Sequence, residues 1–83
     1  MKGRRPKTQN QAQFYQEIGG NIRDMRAWIG LTQEEVARAV GISRPSLANI
    51  EKGNQEIRLH LAVLLAEVFQ CQLADLLSKS PWW

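Results

Sequence analysis

An apolar residue returns every three or four positions from Phe14 to Leu77, and glycines at 30, 41 and 53 cut that pattern into short pieces. A period near 3.6 belongs to helices that bury one face, and glycine just past the last periodic residue is a stop signal. The pieces are therefore short helices joined by tight turns. No strand alternation is present, and 83 residues can close only one core. The expected fold is all-α, a compact five-helix bundle.

The first helix runs from about Phe14, with Ile18, Ile22, Met25 and Ile29 on its inner face. Gly19 and Gly20 sit inside it at a cost of about 1 kcal/mol each relative to alanine. Either the helix bends there or another backbone approaches closely. Thr32 and Glu35 have the spacing of a capping box ahead of Val36, Ala37 and Val40. Gly41 stops that helix with a turn that needs positive φ. Ser43 can cap the next helix, with Pro45 in its first turn. A residue before proline avoids the α region, so Arg44 is either the cap or the first helical residue. Leu47 and Ile50 face inward and Gly53 closes the helix. After the polar turn Asn54-Gln55-Glu56, Leu59–Phe69 is apolar nearly all round, as expected of a helix at the centre of a bundle. Leu73, Leu76 and Leu77 form a last short helix. The domain is expected to span residues 13–77, with a flexible arm at 1–12 and a tail at 78–83.

Charge is distributed unevenly. Lys2, Arg4, Arg5 and Lys7 place four positive charges in the first seven residues, and the net charge of +3 leaves the other residues at −1. Such an arm suits a phosphate backbone, or it is a solvated tail. A single cysteine, Cys71, forms no internal disulfide and no multi-cysteine metal site, and one histidine leaves little for acid–base chemistry. No apolar run is long enough for a membrane span, and none follows the basic N-terminus as in a secretory signal. These features point to a reducing cytoplasm and to a protein that is not an enzyme, with no cofactor and no metal. His60 reads as a half-buried structural residue, and Cys71 as a small filler at a turn.

The stretch 33–52 carries the most information. Two short helices flank Gly41, with Ala37 where they must cross closely and Val40, Leu47 and Ile50 packing between them. This is the spacing of a helix-turn-helix, although a generic helical hairpin shares it. The strings Leu31-Thr32-Gln33-Glu34-Glu35-Val36-Ala37, Val40-Gly41-Ile42-Ser43-Arg44 and Asn49-Ile50-Glu51-Lys52-Gly53 closely resemble the phage-repressor/Cro (XRE-type) helix-turn-helix family. Asn21-Ile22-Arg23 and Arg26 support the resemblance upstream. Leu65-Ala66-Glu67 and Leu73-Ala74-Asp75-Leu76-Leu77 support it downstream, so that it covers about residues 18–77.

The resemblance implies a lambda-repressor-like fold and a set of roles. Arg44, Pro45 and Asn49 match base-reading positions. Gln33, Ser43, Ser46, Lys52 and Asn54 match positions that hold DNA phosphates, and Arg26 and Glu51 match a structural ion pair. Arginine can pair bidentately with guanine and asparagine with adenine, whereas Pro45 can offer only an apolar contact to a thymine methyl. The arm cations Lys2, Arg4, Arg5 and Lys7 are possible DNA contacts, as in relatives whose arms follow the duplex. The implied function is a sequence-specific regulator of transcription, a repressor or autoregulator, binding a palindromic operator as a homodimer. Apolar Val63, Phe69, Leu73, Leu76 and Leu77 are the expected dimer seam. Phage repressor, restriction–modification controller and antitoxin are all family roles for a domain of this size. The alternative is a protein-binding module such as an antitoxin, its partner a toxin or other operon product and its DNA binding secondary. Trp82 and Trp83 belong either to a tail folded on its own core or to an association surface.

Overall fold

A computed structural model of the chain describes residues 11–77. The basic arm cations and the two C-terminal tryptophans lie outside the described residues. Five helices follow in order: α1 (Gln11–Ile29), α2 (Gln33–Val40), α3 (Arg44–Lys52), α4 (Leu59–Phe69) and α5 (Leu73–Leu77). None is long and apolar enough to cross a membrane.

Helix α1 begins before its apolar period does. Gln11, Ala12 and Gln13 are exposed, so burial does not order them. Local polar contacts take its place, with Gln11 Nε2 donating to Glu56 at 2.6 Å and Gln13 Nε2 to Glu17 one turn on. The arm boundary expected at 12 therefore falls inside a helix. The ends of the expected inner face are also left open, Phe14 at 37% and Ile29 at 42% exposure, while Ile18, Ile22 and Met25 are buried.

The two candidate causes for the glycine pair separate. At Gly19, α3 crosses so closely that a Cβ would run into the carbonyl oxygen of Ile50 and lie 2.8 Å from that of Glu51. At Gly20 the nearest side-chain atom would be Arg23 Nη2 at 4.0 Å, an ordinary contact. Close backbone approach accounts for the first glycine only.

The caps follow the sequence. Thr32 accepts from the Glu35 amide at 3.0 Å, and Glu35 Oε1 accepts from the Thr32 amide at 2.8 Å, completing the capping box. Ser43 is the α3 cap, with its oxygen accepting from the Ser46 amide at 3.1 Å, so Arg44 is the first helical residue and Pro45 the second. Gly41 adopts φ +80°, and both orphan carbonyls of the α2 end are met by the turn.

One core joins all five helices through Ile22, Val36, Leu47, Leu65 and Leu76, all under 2% exposed. Helix α4 is not central. Its Ala62, Leu65, Ala66 and Phe69 are buried, but Leu59 is 69% exposed and Val63 37%. Two members of the expected dimer seam are corrected accordingly. Phe69 and Leu76 fill the core of their own chain, since the last two helices are too short to bury apolar residues on one side and offer them on the other. Leu73 is half-buried, and Val63 and Leu77 remain exposed. His60, expected to be half-buried, is exposed. Cys71 is half-buried against the core, and burial first and the Asp75 carboxylate second push its thiol upward, which keeps it protonated and poorly nucleophilic at neutral pH.

Candidate nucleic-acid interface

Helix α3 divides cleanly by face. Leu47, Ile50 and Glu51 are buried, whereas Arg44, Pro45, Asn49 and Lys52 are exposed and Ala48 is half-exposed between them. At 100° per residue the open set covers one continuous strip. The strip begins at the helix N-terminus, where backbone amides converge, and the first turn contains no acidic residue. A cation at that end opposes the helix dipole, so Arg44 costs the helix a little stability and leaves an electropositive tip. That tip suits an anionic partner.

A run of polar contacts behind the strip fixes its orientation. Arg26 Nε donates to Glu51 Oε2 at 2.7 Å and Arg26 Nη2 to Glu51 Oε1 at 3.1 Å, a bidentate pair. Arg26 Nη1 donates to the Leu31 carbonyl at 3.0 Å. Gln33 Nε2 donates to the same Glu51 Oε1 at 2.9 Å, and Gln33 Oε1 accepts from Arg44 Nη1 at 3.2 Å. The buried Glu51 carboxylate thus gathers three donors, and the exposed Arg44 is tethered through Gln33 to a pair anchored on α1. Hydrogen bonding to Glu51 drives the Arg26 guanidinium above its ordinary range against the opposing effect of burial. Both charges in this pair are matched, and among the described residues no buried side-chain polar atom lacks a partner.

The remaining positions fall around this strip. Ser43 is exposed and committed to its cap, and its hydroxyl also donates to Ser46 Oγ at 3.1 Å. Ser46 is half-buried, and Lys52 and Asn54 are exposed at the far end of α3. Arg58 and His60, not singled out from the sequence for this surface, line a cleft of about 400 Å³ that Ser46 also lines, with Ile42, Ile50 and Leu61 on its apolar side. The available signal was a cation just downstream of Lys52 and Asn54, but only the fold brings it beside the start of α3.

The family model described as helix-turn-helix matches residues 22–76. An uncharacterised helix-turn-helix transcriptional regulator of Archaeoglobus fulgidus is 44% identical over 55 residues, covering 66% of this chain and 79% of its own. The antitoxin PezA of Streptococcus pneumoniae is 37% identical over 62 residues, which is 75% of this chain and 39% of that protein. The phage CTXphi transcriptional repressor RstR of Vibrio cholerae is 37% identical over 63 residues, 76% of this chain and 57% of the repressor. The chain thus spans less than two thirds of the latter two. Among solved structures, the restriction-modification controller protein C.AhdI of Aeromonas hydrophila superposes with a TM-score of 0.72 at 26% identity, covering 75% of this chain and 94% of the controller.

Proposed function

The chain belongs to the XRE-type helix-turn-helix family of DNA-binding transcriptional regulators, and from that premise we propose that it reads a palindromic operator as a homodimer and represses transcription from it. The observation that carries this reading is the open, electropositive strip of α3, held in place by the Gln33–Glu51–Arg26 contacts. Arg44 and Asn49 read bases in the major groove, and Pro45 meets a thymine methyl or leaves its base unread. Gln33, Ser43, Ser46, Lys52 and Asn54 hold phosphates, and Arg58 adds one to that set. Two copies meet through Leu59, Val63 and Leu77, the apolar residues that α4 and α5 leave open. The reading needs no cofactor and no catalytic step, and it places the protein in the cytoplasm with its DNA.

Selection of binding sites from random duplexes tests this reading. The expected product is an inverted repeat with half-sites about one helical turn apart. Recovery of no sequence, with only weak salt-sensitive binding, would overturn it. The arm has its own test. Deleting residues 1–7 removes four cations, so the slope of log K against log salt is expected to flatten by up to about 0.9 for each phosphate that the arm had neutralised. An unchanged slope would take the arm off the DNA.

A second reading, an antitoxin-like module whose main partner is a protein, is favoured by the likeness to PezA. Binding of the purified chain to a toxin encoded beside it, with no operator recovered by selection, would favour that reading.

A further inference from the structure

Trp28 is the largest apolar side chain left in solvent, 86% exposed on the last turns of α1. Nothing in the DNA-reading strip uses it, because α3 crosses α1 on the Gly19 side. On a helical wheel Trp28 falls within about 20° of Asn21, seven residues earlier. Asn21 Nδ2 donates to the Leu76 carbonyl at 2.9 Å, so this is the face of α1 against which α5 ends. Leu77, at the end of α5, is 43% exposed. Ser78-Lys79-Ser80-Pro81-Trp82-Trp83 follow directly from it.

We propose that this segment folds back along α1 and covers Trp28 with Trp82 or Trp83. The geometry allows it. Trp28 is two helical turns from Asn21, about 10 Å along the axis. Five extended residues from Leu77 to Trp82 reach about 16 Å. The face also carries charge of the right sign, since Glu17 and Asp24 flank Asn21 on the wheel and Lys79 is two residues past Leu77. Phe14, the same axial distance away in the other direction, is a weaker target. It is 37% exposed and already packed edge-on against Tyr15 with ring centroids 5.1 Å apart. An indole pair set offset or edge to face would remove most of Trp28 from water and hold α5 onto α1 just before the turn to Gln33.

A thermal double-mutant cycle on the full chain tests this, comparing wild type, Trp28→Ala, Trp82→Ala with Trp83→Ala, and the triple variant. A tryptophan that stays in solvent contributes little, so Trp28→Ala alone would leave Tm where it is. Docking predicts that Trp28→Ala and the tail variant each lower Tm by about 4–8 °C, and that the triple variant falls no further. An unchanged Tm in Trp28→Ala, or losses that add, overturns the proposal. The cycle is repeated at low and high protein concentration. A coupling independent of concentration supports docking within one chain. One that vanishes on dilution assigns the cover to a second copy and overturns it too.

Discussion

Gly19→Ala is expected to be among the most destabilising single substitutions in this chain, and Gly20→Ala, one residue along, to stabilise it. At Gly19 the new methyl would meet the Ile50 carbonyl oxygen, with the Glu51 oxygen at 2.8 Å and the Glu51 carbonyl carbon at 2.9 Å. These are backbone atoms and cannot rotate away. The only relief is to separate α1 from α3. That shift would also stretch the Arg26–Glu51 pair, whose 2.7 Å bond depends on the same crossing. Overpacking costs about 1–3 kcal/mol and occasionally more. With a buried ion pair disturbed as well, a loss of about 3 kcal/mol or more is expected, a large share of the stability of a small domain. Gly20→Ala meets no such obstacle and gains about 0.5–1 kcal/mol of helix propensity. Urea unfolding of the two variants should show shifts of opposite sign. Equal shifts would mean that α1 and α3 cross with room to spare at Gly19.

This pair of glycines shows where sequence stops informing. Helix ends and caps were legible because their causes are local. Thr32 with Glu35, Ser43 ahead of Pro45, and Gly41 each act on amides and carbonyls within a few positions of themselves. The inward faces of α2 and α3 were legible from period alone. Distance between helices is not encoded that way, so a close crossing and a bend looked alike at Gly19. For the same reason Phe69 and Leu76 could not be told from a surface seam. An apolar residue on a short helix serves either use, and only the packed core shows which. The site divides similarly. Its residue types were readable, because the chemistry of reading bases restricts them. The tether from Arg44 through Gln33 to Glu51, and Arg58 beside Ser46, depend on turns of the fold that bring distant positions together.

That tether shapes what substitutions on the DNA-reading strip should do. Arg44→Ala is expected to weaken binding to the selected operator by about 1–3 kcal/mol, and Asn49→Ala by a similar amount. If the two read separate base pairs, the losses add, and the double variant binds its operator about a hundredfold to ten-thousandfold less tightly. Neither residue packs in the core, so both variants should unfold like wild type. Affinity for unrelated DNA should fall far less, which separates loss of reading from loss of charge. Lys52→Ala provides the contrast, weakening every duplex alike and flattening the salt slope by about one unit. Gln33→Ala should fall between them. It removes a phosphate donor and also frees Arg44, so it should relax preference at the base that Arg44 reads while leaving the Arg26–Glu51 pair intact. Titrations of operator and scrambled duplexes at several salt concentrations would measure all five variants. If the double variant kept its preference for the operator, α3 would not be the reading element, and the charge on this surface would have to serve some other anionic partner.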